Sequence, residues 1–132
     1  MLYKDETYKI IGACMKVHKN LGAGFLENVY SEALTIELVK ADIPFEQEKK
    51  LNVQYEDVLL KKYYKADFYC YNSIVVELKS MSYLSNNEIA ITRNYLKATN
   101  QPIGLLVAFG AASLLYKRIY NNSHPILNQE NH

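Results

Sequence analysis

Apolar residues at Ile10, Cys14, Val17 and Leu21 recur at helical intervals and predict a first helix. Gly22 and Gly24 follow, with the backbone freedom that a tight helix-to-helix connection needs. A second helix is predicted over residues 26–40, with Leu26, Val29, Tyr30, Ala33 and Leu34 as its apolar stripe and an end before Ile43-Pro44. From residue 45 to 60 the pattern turns extended, with Leu51, Val53 and Tyr55 on one parity and Glu56-Asp57 as a turn. Two strands follow, over 63–71 and 74–79, separated by the break Asn72-Ser73. Residues 86–98 return to a helical pattern through Ile89 and Leu96. The run 103–109 is a buried strand, 114–120 is a further strand, and the polar tail 121–132 is expected to fray. Helix, helix, three or four strands, helix, strand, strand describes one mixed sheet with helices packed on it, an α/β or α+β layout.

The strand pair in the middle carries the most informative residues. Asp67 lies on the first strand, and ten residues later Glu77-Leu78-Lys79 ends the second. Side chains alternate faces along a strand, so Ile74, Val76 and Leu78 share one face while Val75, Glu77 and Lys79 share the other. An acid on each strand then meets its neighbour. Two carboxylates held close repel unless a cation sits between them, and Mg²⁺ favours carboxylate oxygens supplemented by water. Lys79 adds a positive group that can steady a water nucleophile or a developing phosphate charge. On spacing alone, a solvated Glu-Lys edge explains the same residues equally well. The apolar neighbours Val75, Val76 and Leu78 favour a strand buried on both faces, where an ionisable residue needs a partner.

Composition narrows the class. The 132 residues fit one domain, with an ordered core expected over about 5–120. A formal net charge of +1 means that any nucleic-acid contact must come from a local patch. No apolar stretch is long enough to span a bilayer, and the N-terminus lacks a signal-peptide layout, so a cytoplasmic protein with no membrane partner is expected. Cys14 and Cys70 fall at apolar positions and read as buried, reduced thiols.

Other candidates are weighed against plainer explanations. Glu27 lies near the edge of the second helix's stripe, where it can lean over the sheet; a carboxylate in the first helical turn is also favoured by the helix dipole alone. Glu37 falls near the stripe centre and predicts a buried salt bridge with a lysine or arginine. His18 has no second His or Cys at helical spacing with which to build a zinc site, and reads as structural; His124 and His132 belong to the tail. Tyr63, Tyr64, Tyr69 and Tyr71 cluster around Asp67, as sheet-packing residues or as platforms for unpaired bases. Lys49, Lys50, Lys61, Lys62 and Lys65 bracket the same strands, as phosphate contacts or as a protected sheet edge. Gly22-Ala23-Gly24 follows a helix rather than a strand, which excludes a nucleotide-binding loop.

At Gly24-Phe25-Leu26-Glu27-Asn28-Val29-Tyr30 the chain resembles the GxxExxY family. Further blocks fall in the same order: Val17-His18-Lys19-Asn20-Leu21-Gly22, Ala66-Asp67, Val76-Glu77-Leu78-Lys79, Asn94-Tyr95-Leu96-Lys97-Ala98-Thr99 and Gly104-Leu105-Leu106-Val107-Ala108-Phe109-Gly110. That family is similar to the PD-(D/E)XK nucleases, which implies a restriction-endonuclease-like core. The resemblance makes Asp67 and Glu77 metal-binding carboxylates, Leu78 a ligand through its carbonyl, Lys79 the lysine of the E-x-K element, and Glu27 an additional helix acid reaching the same metal. It implies Mg²⁺ or Mn²⁺ as cofactor, DNA or RNA as substrate, and hydrolysis of phosphodiester bonds. A homodimer or larger complex would supply the contact surface that so small a chain lacks. One departure is Ile91, where many relatives carry a glutamine; its loss bears on turnover more than on metal binding. A nuclease-fold module that binds nucleic acid or a protein partner without cutting it stays open as the alternative, as does hydrolysis of a small phosphorylated molecule.

Overall fold

A computed structural model describes residues 1–130; residues 131 and 132, and His132 with them, lie outside the described residues. The elements are α1 (Lys4–Leu21), α2 (Glu27–Lys40), β1 (Phe45–Tyr55), β2 (Val58–Cys70), β3 (Ile74–Lys79), α3 (Asn86–Ala98), β4 (Ile103–Ala108), β5 (Leu115–Tyr120) and α4 (Pro125–Glu130). The strands form one sheet in the order β1-β2-β3-β4-β5. Neighbours are antiparallel except β3 and β4, which run parallel because α3 carries the chain back between them.

Strand alternation, broken once on β2 between Ala66 and Phe68, divides the core into two layers. Ile74, Val76 and Leu78 of β3 pack with Phe68, Cys70, Ile103, Leu105 and Val107 against Ile10, Cys14 and Val17 of α1 and Tyr30, Leu34 and Leu38 of α2. On the opposite face Val75, Ala66, Tyr69, Leu51, Leu106 and Ile119 pack against Leu96 of α3. The central strands are therefore buried on both sides, as their apolar runs require. Gly104 lets α3 approach: a Cβ there would stand 3.3 Å from the Leu96 side chain.

Two expectations need correcting. The buried stripe of α2 is Tyr30, Leu34, Glu37 and Leu38, whereas Leu26 and Val29 are exposed. Leu26 precedes the first helical turn in an extended conformation, so the helical phase that would bury it has not begun. The expected fraying of the tail also fails over the described part. Asn121 is buried, donating from Nδ2 to the Gln101 carbonyl at 3.0 Å, and Leu127 of α4 is buried too. A polar composition hid one satisfied amide and one apolar anchor.

Other expectations hold. Glu37 pairs with Lys16 at 3.3 Å. His18 is structural, its Nε2 lying 2.9 Å from the Ala111 carbonyl. Cys14 and Cys70 are free buried thiols, and burial pushes both above the usual thiol range.

Candidate functional site

β2 and β3 pair only over Phe68–Cys70 and Ile74–Val76, next to the turn that joins them. One step further Asp67 and Glu77 stand opposite each other, where the backbone ladder stops. Their side chains take over its bonds: the Leu78 N–H donates to Asp67 Oδ2 at 2.7 Å, and the Asp67 N–H donates to Glu77 Oε1 at 3.2 Å. β3 stays in register with β4 through Lys79, so it is β2 that parts from the sheet. Diverging strands leave backbone donors unpaired, and a carboxylate on each strand satisfies the donor on the other.

This exchange holds two acids side by side in a half-buried position. Burial, then the neighbouring Asp67 charge, push the Glu77 carboxyl from an ordinary value of 4.5 up to about 8. The Glu77 carboxyl therefore favours its protonated form at neutral pH. Tyr64, also on β2, hydrogen-bonds to the Glu77 carboxylate, and burial with the nearby Glu77 charge holds its phenol well above the usual range. Its ring stacks on Tyr95 of α3 at 4.1 Å between centroids.

Glu27 reaches the same neighbourhood from the other side. It opens α2, is exposed, and lines a cleft of about 310 Å³ with Asp67, Leu78, Gln47, Glu48 and Ser31. Tyr30 fixes this end of α2: its hydroxyl donates to the Gly22 carbonyl at 2.6 Å and accepts from the Phe25 N–H at 3.2 Å. The ring of Tyr30 stacks on Phe109 at 4.3 Å, tying the helix start to the end of β4.

Lys79 takes a different direction. Its Nζ lies 3.6 Å from Glu88 Oε2 in the first turn of α3, and neither Lys79 nor Glu77 lines the cleft of Glu27. Asp67 and Leu78 line that cleft, Glu77 bonds Asp67 from the α3 side, and Lys79 stands beyond it. Among the described residues no three His, Cys, Asp or Glu side chains gather closely enough to close on one ion. The donor set that fits a hard divalent cation is accordingly the Asp67–Glu77 pair and backbone oxygen, with Glu27 at the cleft's rim.

Glu88 was missed by sequence reasoning, and Tyr64 was read as sheet packing or a base platform rather than as the partner of Glu77. For Glu88 a signal existed: Ser85-x-x-Glu88 is a capping-box spacing, and Ser85 Oγ does accept from the Glu88 N–H at 3.1 Å. No local pattern pointed to Tyr64, whose contact with Glu77 depends on strand register.

A solved structure, the crystal structure of SSO0001, is similar in fold, with a TM-score of 0.57 at 16% identity over 97% of this chain. The chain spans 66% of that protein's length. No curated protein matches it. The model of the PD-(D/E)XK nuclease superfamily matches residues 4–119, the span that holds the whole sheet up to Ile119 and the acids described above, and on that match this chain belongs to the PD-(D/E)XK nuclease superfamily.

Proposed function

We propose that the chain is a divalent-metal-dependent nuclease that hydrolyses phosphodiester bonds in DNA or RNA. The observation that carries this reading is the pair of carboxylates at the β2/β3 divergence, Asp67 and Glu77, each accepting a backbone N–H from the other strand. A bound Mg²⁺ or Mn²⁺ would polarise a phosphate oxygen and make a water more acidic. Asp67 and Glu77 would hold the ion, and the Leu78 carbonyl and Glu27 would be further oxygen donors on the cleft side. Lys79, steadied by Glu88, would offset negative charge building on the phosphate and orient the attacking water. The balance is one ester and one water giving a phosphomonoester and a free hydroxyl.

Mn²⁺ titration by calorimetry, with single-stranded and duplex substrates incubated in parallel, tests the reading. Wild type should bind the ion and cut, and Glu77→Ala should lose both. A Glu77→Ala protein that cuts as fast as wild type would sink the assignment.

A non-cutting module is the second reading, and Ile91 favours it. This side chain is 42% exposed on α3 beside Asn94 and Tyr95, offering no polar group where many relatives have a glutamine. Ion binding without cleavage of any substrate would decide for it.

A further inference from the structure

We propose that one face of the β1–β2 hairpin is a binding tract for a single nucleic-acid strand leaving the acidic cleft, built from Lys65, Lys50, Tyr63 and Asn52, with Lys61 beyond them. The proposal rests on the nucleic-acid reading above and adds to it a second site, outside the carboxylate cluster.

The hairpin outruns the sheet. β2 extends from Val58 to Cys70 yet meets β3 only from Phe68 onward, so its first half is paired with β1 alone. Leu51, Tyr64 and Ala66 turn toward α3. Alternation sends Lys50, Asn52, Tyr63 and Lys65 to the opposite face, which is the face of α2 and the cleft. α2 reaches β1 at Gln47, whose Nε2 meets Ser31 Oγ at 3.3 Å, and past that point this face of the hairpin is open. Tyr63 is 49% exposed although it sits in mid-strand. Packing explains Tyr64 and Tyr69; it does not explain Tyr63.

The tract begins at the site. Lys65 and Tyr63 lie about 7 and 13 Å before Asp67 along the strand, at roughly 3.3 Å per residue. Lys50 pairs with Lys65 across the ladder, and its Nζ stands 4.9 Å from the centre of the Tyr63 ring. Lys65 is partly neutralised by Glu48 at 3.9 Å, while Lys50, Lys61 and Lys62 form no ion pair among the described residues. Lys61 and Lys62 fall where the register slips: from Asn52 to Gln54 on β1 the partners run from Tyr63 to Leu59 on β2, leaving Lys61-Lys62 in a bulge. Glu56 and Asp57 at the turn close the far end.

Charge selects the occupant. Glu27, Glu32, Glu48 and Asp67 line the cleft, so the cleft repels a polyanion, and a net charge of +1 provides little attraction from the molecule as a whole. Retention of a phosphate chain then needs a local cationic anchor next to the cleft, and the hairpin supplies one. A narrow row that alternates ammonium groups with an open aromatic ring fits one backbone with an unpaired base stacked on the ring.

Fluorescence anisotropy in EDTA, with a labelled 20-nucleotide single-stranded DNA, its RNA counterpart and the matching duplex, tests the tract apart from the chemistry. Wild type should prefer a single strand over the duplex, and the DNA and RNA arms identify which one. Lys50→Gln combined with Lys61→Gln should weaken binding roughly tenfold and lower the slope of log affinity against log salt by about 1.4. Tyr63→Ala should weaken it roughly 5- to 100-fold, with Tyr63→Phe restoring it. Equal affinity of the lysine variant and wild type overturns the tract, as does tighter binding of the duplex. A change in sedimentation rather than in strand affinity overturns it as well, because the surface is then a contact between copies. Glu77-dependent cleavage with no dependence on Lys50, Lys61 or Tyr63 leaves the nuclease reading standing without the tract; tract-dependent binding by a protein that never cuts does the reverse.

Discussion

Two buried carboxylates in this chain illustrate how a partner decides a role. Glu37 lies between α1 and α2 with Lys16 at 3.3 Å, a paired charge that locks two helices together. Glu77 faces Asp67 instead, and its positive partner is a proton. Such a pair is a functional-site signature because it stores unfavourable charge that a cation can relieve. The Tyr64 hydroxyl fixes one Glu77 oxygen, and the Tyr95 stack fixes the Tyr64 ring. Tyr64→Phe keeps the stack and removes the hydroxyl, so the fold should persist while Mn²⁺ affinity falls roughly 10- to 100-fold. Calorimetry on the two proteins reads that difference. At neutral pH, Mn²⁺ uptake by wild type should release about one proton, seen as an uptake heat that changes with the buffer's ionisation heat, because the Glu77 proton must leave.

At the scale of elements, helix ends and strand ends set the site. α2 terminates through Asp42, which adopts φ 55° while the Ile43 N–H donates back to the Leu38 carbonyl at 3.0 Å. That left-handed position suits glycine, and a carboxylate at a helix C-terminus opposes the dipole. Asp42→Gly should therefore stabilise the fold by about 0.5–1 kcal/mol, measured by urea unfolding. Gly110 is the opposite case. Its N–H donates to the Met81 carbonyl at 2.9 Å, and a Cβ there would collide with the Ser80 and Met81 backbone just after Lys79. Gly110→Ala should cost about 1–3 kcal/mol in the same assay and displace the end of β3. The sequence made α3 and the two acid-bearing strands legible, since period and turn residues are local signals. It misplaced the α2 stripe because Leu26 and Val29 are apolar yet precede or flank the buried face, and it missed Asn121 and Leu127 because one anchor does not alter a polar average. Asp67 and Glu77 could be paired from the tight turn alone. Tyr64 and Glu88 reach Glu77 and Lys79 from other elements, and only the assembled sheet brings them there.

For the whole molecule, the Glu77 proton couples folding to pH. In the unfolded chain the carboxyl returns to the ordinary range near 4.5, whereas in the fold it stays protonated up to about 8. Between those values the native state binds more protons than the unfolded state, so unfolding free energy falls as pH rises. The contribution is fully present below pH 4.5, declines at up to about 1.4 kcal/mol per pH unit across the window, and is gone above pH 8. Burial, and then the neighbouring Asp67 charge, oppose the ionisation of Glu77, which is why the fold resists it. Glu77→Gln keeps a neutral side chain of the same size and cannot ionise, so its stability should be independent of pH in this respect. Urea midpoints of wild type and Glu77→Gln from pH 4.5 to 8.5 should therefore diverge, wild type losing stability relative to the variant as pH rises. Adding Mn²⁺ at pH 8 should restore wild type and leave the variant little changed, since the ion then supplies the positive charge that the proton provided. Parallel pH profiles for the two proteins would mean that Glu77 ionises freely in the fold, and the carboxylate pair would lose its claim as the place where a cation is wanted.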